Sequence, residues 1–168
     1  MTGVDDPGTE LRLRAVVADD IAFFYEHQLD PVAARMVAFT RVDRTDREAF
    51  LAHWATILAE DTIVKRTILV DGHVAGNVLK FDGYGQPEVG YWLGREWWGR
   101  GVATRALGAF LVEVAQRPIH AVVAKDNLAS LRVLEKCGFT ITGEDRAFSN
   151  ARGVDVEQYV LTLESRTA

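Results

Sequence analysis

The sequence predicts an α/β (α+β) chain in which helices pack on one mixed sheet. Three observations carry that prediction. Apolar residues switch repeatedly between a two-residue and a 3.6-residue repeat, the mark of strands interspersed with amphipathic helices. An Asp-Gly pair divides the apolar stretch "TILVDGHVAGNVLKF", Thr67–Phe81, as a two-residue hairpin turn does. A further strand runs through closely spaced glycines into a helix in "YWLGREWWGRGVATRAL", Tyr91–Leu107.

The elements follow in order. "LRLRAV", Leu11–Val16, alternates and reads as a first strand. "DDIAFFYEHQL" reads as a helix stopped near Asp30-Pro31. "TDREAFLAHWATILAED" starts a second helix with Thr45 and Glu48 as a capping box, and Phe50, Trp54 and Ile57 share one face. The hairpin turns at Asp71-Gly72, and "PEVGYWL" is the next strand. Leu107, Phe110, Leu111 and Val114 give the following helix its buried stripe. "HAVVAKDN" has the composition of a strand buried on both faces. "NLASLRVLEKCGF" is a short helix capped by Asn127 and stopped by Gly138, and "VEQYVLTL" is a closing strand. The order is β-α-α-β-β-β-α-β-α-β-β, about seven strands and four helices.

Composition bounds the chemistry. The 168 residues suffice for one domain with a real core, and 48% hydrophobic with 26% charged residues is ordinary for a globular chain. A net charge of −5 gives no bulk attraction to nucleic acid or to an anionic membrane. The single cysteine, Cys137, excludes an internal disulfide and a cysteine metal cluster and fits a reducing compartment. No apolar run reaches the length of a membrane span, and the first nine residues read as a loose tail without signal-peptide order. A cytoplasmic protein is expected. The four histidines, His27, His53, His73 and His120, have no ligand spacing, so no metal site is expected.

The segment Trp98-Gly99-Arg100-Gly101-Val102-Ala103-Thr104 lies between a strand ending near Leu93 and a helix beginning near Gly101. Glycines there let successive N–H groups point into one space, where an anion such as a pyrophosphate meets the positive end of the helix dipole. Arg100 and Arg105 could add charge at the rim. A tight strand-to-helix turn without a ligand accounts for the glycines equally well. A nucleotide triphosphatase loop is excluded by the missing lysine and hydroxyl. A dinucleotide site lacks its third glycine, and Asp126 lies about 25 rather than 20 residues on.

These residues resemble the GNAT-type N-acetyltransferases, which use acetyl-coenzyme A. The family's cradle, (R/Q)-x-x-G-x-(G/A), is matched at Gly101 and Ala103, with Trp98 where Arg or Gln is frequent. A tryptophan in that place is typical of the branch that includes the ribosomal-protein N-terminal (alanine/serine) acetyltransferases. "NLASLRVLEKCGF" is similar to the family's N-x-x-(S/A)-x-x-(L/V)-x-x-(K/R)-x-G-F, with Asn127, Ser130, Val133, Lys136, Gly138 and Phe139 in place. The opening "LRLRAVVADDIAFF" and "LDPVAARMV" look like the same branch. The resemblance implies a GNAT fold over residues 10–168 with a mostly antiparallel sheet. It also implies that the strand ending at Leu93 splays from the strand beginning near His120. Acetyl-CoA would enter there, its pantetheine on the backbone of Tyr91, Trp92 and Leu93, its pyrophosphate on Trp98 to Thr104, with Asn127, Ser130 and Val133 on the far side.

Acetyl transfer to an amine needs a neutral nucleophile, a stabilised oxyanion and a leaving thiol. An α-amine of pKa ~8 is roughly a tenth neutral at pH 7, whereas a lysine at ~10.4 is neutral about once in a few thousand, a gap of about 3 kcal/mol. Glu88, at the start of the strand that leads into the cradle, is the first candidate base; a solvated edge position is its alternative. Glu144, Asp145 and Asp155 in the expected loop "GEDRAFSNARGVD" come next. The family's helix tyrosine, in the pattern L-Y-x-K-x-G-F, is Leu134 here, so that acid is missing. Ser130, one turn earlier, is the candidate donor to the thiolate; helix capping is its alternative. A backbone N–H near Trp92 or Leu93 would hold the oxyanion. No residue has a nucleophile's setting, which points to direct transfer in a ternary complex. Cys137 reads as structural, Phe23, Phe24 and Trp54 as core, and Tyr84 as a loop residue over the acceptor side.

The reading is an acetyl-CoA-dependent N-acetyltransferase acting on a primary amine, with protein N-termini, antibiotic amines, polyamines and small amino compounds all open as acceptors. A non-catalytic acyl-CoA-sensing module is the alternative that the absent tyrosine leaves. Bulk at Trp92 argues against a longer acyl chain. Homodimers are common in the family.

Overall fold

The computed structural model describes residues 9–83 and 85–165. The predicted order is present, with one addition. The elements are β1 (Leu11–Ala15), α1 (Asp20–Leu29), α2 (Pro31–Val37), α3 (Arg47–Ala59), β2 (Val64–Val70), β3 (His73–Gly83) and β4 (Gln86–Leu93). They continue as α4 (Val102–Glu113), β5 (Ile119–Ala124), α5 (Leu128–Lys136), β6 (Thr140–Ser149) and β7 (Val154–Leu163). Among the described residues there are thus five α-helices rather than about four.

The extra helix is α2. Asp30-Pro31, expected only to end α1, also starts the next helix: the Asp30 carboxylate accepts from the N–H of Val32 at 2.9 Å, and Pro31 occupies the first helical position. A second difference concerns α3. Its cap is Asp46, which accepts from the Ala49 N–H at 3.0 Å, while the Thr45 hydroxyl is turned to Asp43 at 2.6 Å. The hairpin is as expected. Val70 pairs with His73, and Asp71 and Gly72 both adopt positive φ, the conformation that a two-residue turn between twisted strands requires.

The strands form one sheet in the order β1-β2-β3-β4-β5-β7-β6. All neighbours are antiparallel except β4 and β5. Helices cover both faces. On one, Val102, Leu107 and Phe110 of α4 and Leu134 of α5 pack with Val78, Val89 and Leu161 of the sheet. On the other, Phe24 of α1 and Phe50, Trp54 and Ile57 of α3 form a second cluster with Leu79 against it, the Phe24 and Trp54 rings 4.9 Å apart. Successive residues Val78 and Leu79 join different clusters, as strand alternation demands. Two burial expectations fail. Phe23 is 52% exposed because the turn that buries Phe24 carries it outward, and Val122 of β5 is 38% exposed because the sheet opens beside it. Among the described residues no helix is long and apolar enough to cross a membrane.

The first strand and first helix are joined by a buried charge. Asp20 is 2% exposed and accepts from Arg14 at 2.7 and 2.9 Å, from the Thr67 hydroxyl at 2.6 Å and from the Val17 N–H at 2.9 Å. Burial pushes its pKa up, but these four donors outweigh that and hold it below the ordinary Asp value. Arg14→Met strips the guanidinium from a carboxylate that stays buried, and is expected to cost about 3 kcal/mol. The stability contributed by Asp20 is present above the ordinary Asp pKa of 3.8 and is lost as pH falls through its lower folded value. Denaturant midpoints for wild type and Arg14→Met should therefore converge on acidification.

Candidate active site

The parallel pair β4–β5 is where the sheet opens. Only Glu88 and His120 are register partners, and beyond them the two strands share no ladder. From Val89 to Leu93 the β5-facing edge of β4 has lost its neighbour, which leaves backbone groups available to a ligand lying along it. A cleft of about 400 Å³ runs through the opening. Glu88, Phe81, Phe39 and Val122 line one side; Tyr91, Asn127, Ser130 and Leu134 line the side toward α5.

The cradle follows from β4. Arg95–Trp97 make one 3-10 turn, and Gly99 and Gly101 both take φ of +73°. L-residues avoid that conformation, so the glycines are needed to bring the chain round into α4. Gly101 is the N-cap and offers no side chain to the first helical N–H groups, and a Cβ at Gly99 would meet open space. The amides of Val102, Ala103 and Thr104 are thus free donors at a helix start.

Trp98 has a role that its place in the motif did not reveal. Its indole N–H donates to the Leu93 carbonyl at 2.9 Å and staples the cradle to the end of β4. The rim arginines are less available than expected: Arg100 lies over the Trp97 ring at 5.2 Å, and Arg105 donates to the Thr9 carbonyl at 3.1 Å. Cys137 is half-buried, and its thiol donates to the Thr104 carbonyl at 3.6 Å, tying the end of α5 to the first turn of α4. Burial pushes that thiol's pKa up, as for an inert cysteine.

The candidate catalytic residues divide. Glu88 lines the cleft, half-buried, and among the described residues no hydrogen bond or ion pair engages its carboxylate. Burial raises its pKa above the ordinary Glu value, with His120 opposing that shift. His120, given no role from the sequence, is brought opposite Glu88 by strand register, and its Nδ1 is 3.0 Å from the Thr162 hydroxyl. Glu144, Asp145 and Asp155 are not in a loop. They stand on β6 and β7, because the closing hairpin continues through them. Glu144 pairs with Lys125 at 3.1 Å, and none of the three lines the cleft.

On α5, Asn127 caps the helix by accepting from the Ser130 N–H at 3.2 Å. Capping therefore does not use the Ser130 hydroxyl, which lies 2.7 Å from the Tyr91 hydroxyl. Val133 packs on the core rather than lining the cleft. Trp92 points to the face opposite Tyr91 and Leu93 by alternation, so only its backbone lies on the open edge. Tyr84 lies outside the described residues.

The residues fit acetyl-CoA: an unpaired strand edge for the pantetheine, glycines and free amides for the pyrophosphate, and a cleft leading to a carboxylate. Comparison with known proteins agrees. The family model described as Acetyltransferase (GNAT) domain matches residues 10–140. The uncharacterized N-acetyltransferase p20 of Bacillus licheniformis is 31% identical over 108 residues, a match that spans 62% of this chain and 60% of that protein. Among solved structures, RimJ of Mycobacterium smegmatis in complex with CoA-disulfide superposes with a TM-score of 0.75 at 21% identity, over 92% of this chain and 82% of that one. The microcin self-immunity acetyltransferase MccE, solved with acetyl-CoA and AMP, gives 0.77 at 16% identity over 93% of each chain. At these identities the structures share the fold.

Proposed function

Since the chain belongs to the GNAT acetyltransferase family and is an acetyl-CoA-dependent acyltransferase, we propose that it acetylates a primary amine by direct attack, both reactants meeting where β4 and β5 part. The observation that carries this reading is the position of Glu88. It stands at the last residue pair before the strands separate, on the acceptor side of a cleft whose other side carries Tyr91 and Ser130.

In this reading Glu88 accepts the proton that the amine loses. Its raised pKa suits the task, since a carboxylate pushed above the ordinary Glu value by burial holds an accepted proton better than a solvated one. A backbone N–H on the open edge near Trp92 or Leu93 holds the oxyanion, and Ser130 faces the leaving sulfur. The acetyl group is supplied by acetyl-CoA. No protein nucleophile is required, and Cys137, the chain's one thiol, is bonded at the cradle away from the cleft lining.

The acceptor side carries Glu88 and Gln158 among the apolar Phe39, Phe81 and Val122. That environment favours an amine carried on a partly apolar body over a strongly charged polyamine, and an α-amine demands about 3 kcal/mol less deprotonation than a lysine side chain. A panel of N-terminal peptides, small amino compounds, lysine peptides and polyamines, scored by coenzyme A release, tests the reading. Turnover with α-amines above the others is expected. Acetyl-CoA binding without turnover on any amine would refute it in favour of a sensing module.

A further inference from the structure

The Tyr91 and Ser130 hydroxyls lie 2.7 Å apart, joining β4 to α5 along one wall of the cleft. Either oxygen can be the donor in this pair. We propose that Tyr91 is a positioning residue: its phenol donates to Ser130 Oγ and so leaves the seryl hydrogen free to point into the cleft at the leaving sulfur. The proposal rests on the acetyl-transfer reading above.

Three observations carry it. First, the serine hydroxyl has no local duty, since Asn127 caps the helix and only the backbone N–H of Ser130 takes part. Second, Leu134, one turn further along α5, also lines the cleft, is 2% exposed and has no group to donate. The cleft wall facing β4 therefore has Ser130 as its hydroxyl donor on α5. Third, the phenol keeps its proton. Burial pushes the Tyr91 pKa up to about 12, and the hydrogen bond to Ser130 only partly offsets that. A group so reluctant to ionise is a poor acid but a constant donor at every working pH.

A serine hydroxyl has one hydrogen and accepts two. With Tyr91 donating to one lone pair, the seryl hydrogen is left free to turn toward the cleft. As the carbon–sulfur bond breaks, its electron pair passes to sulfur, and the Ser130 O–H receives the growing charge in a hydrogen bond. Neither hydroxyl gives up its proton. The thiolate receives, through water, the proton that the amine gave up to Glu88, since a thiol of pKa about 8.5 is largely protonated at pH 7.

The test uses Tyr91→Phe, Ser130→Ala and the double variant of the full chain. Ser130→Ala is expected to lower kcat on the order of tenfold, Tyr91→Phe about threefold, and the double variant no more than Ser130→Ala alone. The KM for acetyl-CoA should stay within about twofold in all three, which a loosened cleft would not allow. Binding without turnover gives a second readout. Near pH 8.5, where a free thiol is about half ionised, wild type should bind coenzyme A about threefold more tightly than desulfo-coenzyme A. Both single variants should lose that preference. Additive kcat losses, a larger loss for Tyr91→Phe than for Ser130→Ala, or an unchanged preference in Tyr91→Phe would overturn the assignment while leaving acetyl transfer intact. Failure of the wild type to bind coenzyme A at all would overturn both.

Discussion

Glu88→Gln is expected to lower kcat on the order of a hundredfold at neutral pH, with acetyl-CoA affinity within about twofold of wild type. The substitution keeps the side chain's shape and its place beside Gly83 and Phe81, and removes only the ability to accept a proton. The pH dependence is the sharper part of the prediction. Burial raises the Glu88 pKa above 4.5, so wild-type kcat/KM should rise with pH through that raised value as the carboxylate ionises. The deficit of the variant should be greatest between that pKa and the acceptor's own. Above the acceptor's pKa the amine is already neutral, and the two rates should approach each other. A Glu88→Gln enzyme with the wild-type profile would return Glu88 to an ordinary strand position. Glu144, Asp145 and Asp155 would not replace it without a rearrangement, because none of them lines the cleft.

Gly101→Val is expected to weaken acetyl-CoA binding at least tenfold, which is ~1.4 kcal/mol. Two effects add. At φ +73° a β-branched residue is strained, and its side chain would stand before the amides at the start of α4. Strain alone lowers stability without touching affinity, so a control is needed. Gly153 has φ +69° in the β6–β7 turn, with nothing within 4 Å of a built Cβ. Gly153→Val should lose about 1–2 kcal/mol of stability and keep full affinity. Equal affinities in the two variants would show that the cradle does not hold the pyrophosphate.

Much of this arrangement is legible in the sequence because it is local. The Asp71-Gly72 turn, the Asn127 cap, the Gly138 stop and the glycine pair of the cradle each work through the conformation of one or two residues, and short-range spacing reports them. The misreadings are also local. Asp30-Pro31 stops one helix and starts another with the same chemistry, and in the run Asp43 to Asp46 either Thr45 or Asp46 satisfies a cap rule. What the sequence could not reveal is built across strands. His120 faces Glu88 only through the register of β4 and β5. Tyr91 and Ser130 are 39 residues apart, and their hydroxyls meet because α5 packs beside the opening in the sheet. The apolar residues beside Glu88 in the cleft, Phe39, Phe81 and Val122, come from three separate segments. Trp98 matched the family pattern by position, yet its bond to the Leu93 carbonyl is a property of the folded loop.

Amide hydrogen exchange with and without acetyl-CoA needs no substitution and reads the ligand-binding backbone itself. In the proposed complex the ligand lies along the β4 edge that β5 abandons after Glu88 and against the free amides at the start of α4. Acetyl-CoA should therefore slow exchange in two separate segments together, Val89 to Leu93 and Gly99 to Thr104, and leave the β6–β7 turn unchanged. Protection confined to other parts of the sheet, with these two segments exchanging as fast as in the free protein, would contradict that placement.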